Sequence, residues 1–184
     1  TGGIGFEVAK RLGKDGFTVI LNGIEDAAGA QRVEELKSEG IAAEYYGFDV
    51  TSDEAVTSNI KAIGEKYGRI DYLVPNAAVS TQMGSFIEAT EAQIKKMLDI
   101  NYTSAFLLVQ EALPHLKKQK GSSIVLLGSY GAYDLPALIG HYAVTKTMLV
   151  AMAKILAKEL LDDEIRVNCV CPGLIKTKFS SALW

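Results

Sequence analysis

Thr1-Gly2-Gly3-Ile4-Gly5-Phe6-Glu7-Val8-Ala9-Lys10-Arg11-Leu12-Gly13-Lys14-Asp15-Gly16-Phe17-Thr18-Val19-Ile20-Leu21 opens the chain with a glycine turn, a helix and a strand in immediate succession. Ile4, Val8 and Leu12 recur every four residues and Gly16 follows, the spacing of one apolar helix face and its stop. Residues 18–21 then have the composition of a short strand. Downstream, residues 27–39 place Val33 and Leu36 on one helical face and end at Gly40, and residues 41–49 are again strand-like. Ser52-Asp53-Glu54 opens a helix with Val56, Ile60 and Ile63 on its buried stripe, Gly68 stops it, and residues 70–75 form the next strand. Residues 90–100 and 105–118 are helical, 123–127 an apolar strand, 142–161 a long helix and 165–170 a last strand. Strands that are almost continuously apolar and alternate with helices need both faces covered. The expected fold is therefore one α/β domain over residues 1–184, a doubly wound parallel sheet in three α/β/α layers.

A sheet of this kind begins with a strand that feeds its first glycine turn, whereas this chain opens on the turn. The expected sheet is incomplete at both ends: a central strand between residues 18–21 and 70–75 is lacking, and the apolar run Phe179-Ser180-Ser181-Ala182-Leu183-Trp184 stops soon after it starts. Strands left without a central partner expose unpaired backbone groups, so the 184 residues by themselves are expected to be inactive.

Composition excludes several function classes. Lys and Arg number 19 against 22 Asp and Glu, a net charge of −3, which offers no attraction to nucleic acid or an anionic membrane. Hydrophobic residues at 48% and charged residues at 22% describe an ordinary globular chain. The apolar stretches at residues 105–109 and 124–127 fall far short of the ~18 residues that span a bilayer. Cys169 and Cys171 point to one face of a strand, too close for an ordinary bridge, and this usage favours a reducing, intracellular and cytoplasmic setting. His115 and His141 are isolated and expected at the surface, and no metal site is expected.

Three motifs carry chemistry. The glycines of Thr1-Gly2-Gly3-Ile4-Gly5 let backbone approach a pyrophosphate, whose charge the free N–H groups of the following helix complement. A plain helix-capping turn has the same residues. Tyr142 and Lys146 in Tyr142-Ala143-Val144-Thr145-Lys146 project from one helical face and can act on one ligand, although an ordinary surface pair satisfies that spacing too. A tyrosine acting as acid or base near neutrality needs its pKa lowered by about 3 units, which a neighbouring ammonium favours. Ser129, thirteen residues earlier, follows the strand at 123–127 at the sheet edge where open α/β folds bind ligands, and can hydrogen-bond a substrate oxygen.

Together these motifs resemble the short-chain dehydrogenase/reductase family along essentially the whole chain. The resemblance implies an NAD(P)-dependent oxidoreductase with a Rossmann-like fold, acting on a small-molecule carbonyl or alcohol, with Asn101, Ser129, Tyr142 and Lys146 as catalytic residues. It implies that Asn101 holds a helix kink and a water relay, and that Tyr142 and Lys146 also hold the cofactor. Gly3, Ile4 and Gly5 match the pyrophosphate turn, Asp49 and Val50 the adenine-contacting pair, and Asn76, Ala77 and Ala78 the segment beside the cofactor. Pro172, Gly173, Ile175 and Thr177 match the nicotinamide loop. The run from Ile165 to Thr177 is similar to an NADP-dependent carbonyl reductase and retinol dehydrogenase subgroup, which favours NADP(H). Gly23 and Ile24 stand where family members place an Asp for NAD or an Arg for NADP, so NAD(H) stays open. The same departures leave room for a catalytically silent member used for binding or regulation. The resemblance further implies a homo-oligomer, dimer or tetramer, packed through residues 105–118 and 142–161, for which Leu149, Met152 and Leu156 are suited. A peroxisomal destination is compatible with the subgroup.

Overall fold

Local chemistry sets the element ends in this computed structural model, which describes residues 2–181; Thr1 and Trp184 lie outside the described residues. Helix α1 (Gly3–Lys14) leads to β1 (Val19–Gly23), α2 (Asp26–Ser38), β2 (Ala43–Gly47), α3 (Asp53–Tyr67) and β3 (Tyr72–Leu73). After a 3-10 turn at Phe86–Glu88 come α4 (Glu91–Leu98), a π-helical turn at Asp99–Thr103, α5 (Ser104–Leu116) and β4 (Ser123–Leu127). The short α6 (Gly131–Asp134), α7 (Gly140–Glu159) and β5 (Arg166–Val170) complete the order. Ser52 caps α3 by accepting from Ala55 N, and Gly68 ends it at φ 77°, a left-handed conformation that glycine adopts without strain. A capping box between Thr90 and Gln93 starts α4.

All the ladders are parallel, as the alternation of helix and strand requires. β1 pairs β2 from Val19 with Ala43 to Gly23 with Gly47, and β4 pairs β5 from Ser123 with Arg166 to Leu127 with Val170. β3 joins only the first two residues of β4. Among the described residues no ladder connects β1 to β3, so the sheet falls into a two-stranded and a three-stranded part. Residues 70–75, read as a full strand, keep only Tyr72–Leu73 in a ladder, because that segment is hydrogen-bonded along one edge alone. Phe17 and Tyr72 bridge the two parts edge to face, their ring centroids 4.9 Å apart.

Two apolar clusters flank the sheet, and Ile20 of β1 and Tyr46 of β2 pack against the larger one. Phe6, Val19, Leu21, Val33 and Leu36 close one beneath α1 and α2. Val56, Leu116, Ile124, Leu126 and Leu149 centre the larger one among α3, α5, α7, β4 and β5. Four of the five residues of β4 are buried, the pattern of a strand covered on both faces.

Several side chains lie elsewhere than the sequence pattern places them. The two helical stretches at 90–100 and 105–118 are joined without a break through the π turn. Leu149 and Met152 are 2% and 6% exposed and belong to the chain's own core, while Phe106 and Ile155 stand out at 43% and 55%. His115 is not a plain surface residue: its Nδ1 is buried without a partner, and its ring covers Gly64, where any Cβ would collide. His141 stacks on Phe86 at 3.8 Å and its Nε2 lies 2.8 Å from the Phe86 carbonyl. No helix among the described residues is long and apolar enough to cross a membrane. No group of three or more metal-ligating side chains is found among them either.

Leu126 is fully buried in the larger core, whereas Ile87 is 90% exposed. Leu126→Ala is expected to lower unfolding free energy by about 2–5 kcal/mol, and Ile87→Ala by less than about 0.5 kcal/mol, in urea titrations of the two variants. Equal losses would place β4 outside the core.

Candidate functional site

The C-terminal ends of β4 and β5 and the first turns of α7 meet at one place. Gly128 N donates to Val170 O and Tyr130 N to Pro172 O, both at 2.8 Å, so the chain leaving β4 is tied to the chain leaving β5. This brings Ser129 close enough to Tyr142 for its hydroxyl to act on the phenol. Ser129 Oγ also accepts from Gly131 N at 3.1 Å, which fixes its rotamer. Burial pushes the Tyr142 phenol above the usual tyrosine value, and the Ser129 hydroxyl pulls it back in part.

One turn further along α7, Lys146 is 3% exposed and donates to the Leu127 carbonyl at 2.7 Å. Burial holds its ammonium pKa down to about 8, with the nearby Cys169 and Cys171 sulfurs opposing the shift. Its Nζ lies 5.6 Å from the centre of the Tyr142 ring. The Lys146 ammonium donates to the strand carbonyl, and burial dominates at the Tyr142 phenol.

Asn101 sits in the π turn and is 1% exposed. Its Oδ1 accepts from Val79 N at 2.8 Å, and its Nδ2 donates to Val79 O and to Thr145 Oγ1, both at 2.9 Å. Thr145 Oγ1 in turn donates to the Tyr142 carbonyl at 2.7 Å. The kink expected at Asn101 is this π turn, and the side chain ties the segment after β3 to α7. Thr145 escaped the sequence reading. A threonine on the buried face of a helix, able to bond back to the carbonyl three residues earlier, is the signal that points to it.

The residues read as cofactor-binding gather at the same sheet edge. α1 starts at Gly2 and Gly3 with no side-chain cap and no acidic residue in its first turn, so its N–H groups are open to an anion. Gly3 has φ 56°, a conformation that favours glycine, and a Cβ there would stand 3.5 Å from Thr177. A Cβ at Gly5 would come within 2.8 Å of Asn76 Nδ2. Residues 3–5, 76–78 and 172–177 therefore converge, with Ala77 and Ile175 exposed beside them. At Gly2 nothing lies within 4 Å of a Cβ, which leaves room over the helix terminus for a phosphate. The donor set and the space fit the pyrophosphate of a dinucleotide.

The second half of that edge is only partly as expected. Asn22 Nδ2 donates to Tyr46 O and Phe48 O, locking the end of β1 to the chain after β2. Asp49 is exposed, and its carboxylate accepts from Thr51 N at 2.9 Å and Thr51 Oγ1 at 2.8 Å, bonds that lower its pKa. Val50, read as its adenine-contacting partner, is buried in the larger core, so its side chain serves packing. Ile24, just after β1, is 74% exposed.

The chain is similar to known proteins along its whole length. A family profile described as enoyl-(acyl carrier protein) reductase matches residues 1–184. Tropinone reductase-like 3 of Erythroxylum coca is 39% identical over 183 residues, an overlap of 100% of this chain and 70% of that protein. Dehydrogenase/reductase SDR family member 4 of Homo sapiens is 38% identical over 184 residues, 100% of this chain and 66% of its own length. Among solved structures, NADH-dependent reductase A1-R', responsible for alginate metabolism, superposes with a TM-score of 0.89 at 27% identity, over 96% of this chain and 75% of that one. NAD+-bound xylitol dehydrogenase superposes with a TM-score of 0.92 at 27% identity, over 97% and 68%. The chain thus spans 66–75% of the length of these proteins.

Thr145→Val removes the hydroxyl that accepts from Asn101 while keeping shape, and leaves buried polar groups short of a partner. A loss of about 1–3 kcal/mol in chemical denaturation is expected, with Thr145→Ser close to the native chain. A valine variant as stable as the native protein would remove the Thr145 link from the site.

Proposed function

Since this chain belongs to the short-chain dehydrogenase/reductase family, a family of NAD(P)-dependent oxidoreductases, we propose that it interconverts a carbonyl compound and an alcohol, with Tyr142 as general acid and base. The observation that carries this reading is Ser129 and Tyr142 brought together beside a buried Lys146 at the end of β4. A bound nicotinamide supplies or takes the hydride. The chain does the rest. Ser129 donates to the carbonyl oxygen and orients it, and Tyr142 Oη delivers its proton to that oxygen as negative charge develops there. Burial keeps the phenol protonated, and proton transfer near neutrality further needs its pKa lowered, which a positive charge beside it favours. Lys146 holds the ribose side of the site and contributes positive charge next to the phenol once it turns from the Leu127 carbonyl.

Gly3, Ile4 and Gly5 would hold the pyrophosphate at the α1 N-terminus, and Asn76, Ala77 and Ala78 would line the nucleotide. Pro172, Gly173, Ile175 and Thr177 would face the nicotinamide carboxamide, and Asp49 and the backbone of Val50 the adenine. NADP(H) is favoured by subgroup resemblance. The two solved relatives described above are NADH-dependent or NAD+-bound, so NAD(H) is the alternative, and the exposed Ile24 is the position at which we place the choice. A homo-oligomer formed through the groove of α5 and α7 would cover the exposed Phe106 and Ile155.

In a chain of its relatives' length, Tyr142→Phe is expected to cut carbonyl-reductase turnover by about 10²–10⁴-fold while NADPH still quenches protein fluorescence. Retained turnover would overturn the assignment. Ile24→Arg is expected to shift the NADPH-to-NADH efficiency ratio about 10–100-fold toward NADPH through a charge-assisted contact with the 2′-phosphate. An unchanged ratio would mean that another residue reads that group. Ile155→Asp should give monomers in sedimentation velocity, and an unaltered mass would remove the α5–α7 interface.

A further inference from the structure

Cys169 and Cys171 take no part in the proposed reaction, yet they are packed directly behind it. Both are free and half-buried. One is the fourth residue of β5 and the other the first residue beyond it, so the extended backbone turns both side chains to the same side. Their sulfurs lie 3.9 Å apart. Both press on Gly128, where a Cβ would come within 2.6 Å of Cys171 Sγ and 2.8 Å of Cys169 Sγ. Gly128 joins Leu127, whose carbonyl takes the Lys146 ammonium, to Ser129, which lies beside Tyr142. On the other side, Cys171 precedes Pro172, whose carbonyl accepts from Tyr130 N. A change in the position of either sulfur is therefore passed to the strand end that carries the site.

We propose that Cys169 and Cys171 form an oxidation site, closed by a hydroperoxide into an intrachain disulfide that displaces Gly128 and weakens cofactor binding. The thiolate of Cys171 attacks the peroxide oxygen, the O–O bond breaks, and water or an alcohol leaves, giving a sulfenic acid. The Cys169 sulfur then attacks the Cys171 sulfur, the S–O bond breaks, and water leaves with the thiol proton. Two thiols lose two electrons in all and the peroxide gains them. Burial, with Cys171 adding to it, pushes the Cys169 thiol up to about 11, which disfavours Cys169 as the first nucleophile. Shortening the sulfur separation to a bond of about 2.05 Å bends a strand end inside a very short loop. A strained bridge of this kind is readily reduced, so the modification is reversible.

The oxidation stands by itself, whereas its effect on cofactor binding rests on the function proposed above. The test treats the reduced full chain with hydrogen peroxide and reads intact mass, peptide mass and NADPH affinity by fluorescence. Expected is a loss of about 2 Da in the peptide holding both cysteines, reversed by dithiothreitol and absent from Cys171→Ser and Cys169→Ser. NADPH affinity is expected to fall about tenfold on oxidation of the native chain and to stay constant in Cys171→Ser under the same treatment. Unchanged mass, or a gain of oxygen atoms without the 2 Da loss, overturns the oxidation site. A bridged chain with unaltered NADPH affinity overturns the coupling. A reduced chain that binds neither NADPH nor NADH overturns the proposed function and the regulation with it, while the mass change still decides whether the dithiol is an oxidation site.

Discussion

The carboxamide of Asn101 ties three segments that are distant in sequence and closed to water. It takes both backbone groups of Val79 and the hydroxyl of Thr145 from inside a π turn. A regular helix through residues 99–103 would aim the side chain elsewhere, and a buried amide without partners would cost several kcal/mol. The widened turn and the saturated amide thus support each other. Val79 is held three residues beyond Asn76, and Asn76 lies against Gly5, so the chain between β3 and α4 is fastened to the glycine turn on one side and to α7 on the other.

Charge in this region is governed by burial. Lys146 keeps a hydrogen bond to a backbone carbonyl, which offsets part of the cost of withdrawing an ammonium from water, and its pKa still falls to about 8. Tyr142 feels the same low dielectric with the opposite sign, since its charged form is the deprotonated one. The surface ion pairs, such as Lys66 with Glu44 and Lys95 with Glu91, lie among well-hydrated side chains and contribute little to the fold by comparison.

Ile20 of β1 and Tyr46 of β2 pack against the larger core, and Phe17 meets Tyr72 edge to face, so the two described parts of the sheet share apolar contacts. Both halves present their C-terminal strand ends at the same edge, so the site draws residues from each. Glycines are spent there for different reasons: Gly3 for its backbone conformation, Gly5 for Asn76, and Gly128 for two sulfurs.

Periodicity and punctuation by themselves determined the order of helices and strands, the parallel sheet and the common face of Tyr142 and Lys146, because these are local properties of the chain. Ser129 was legible for the same reason: it follows an apolar strand at the edge where such sheets bind ligands. Tertiary structure decided what each side chain meets. No local pattern states that Lys146 reaches the Leu127 carbonyl, that Thr145 receives Asn101, or that Leu149 and Met152 turn into the chain's own core while Ile155 turns out. The helical face that carries an apolar stripe is written in the sequence, but its division between the core and the surface depends on elements tens of residues away. Hydrogen bonds and burial at a site are non-local in the same sense, and so the residues of this one were readable while their protonation and partners were not.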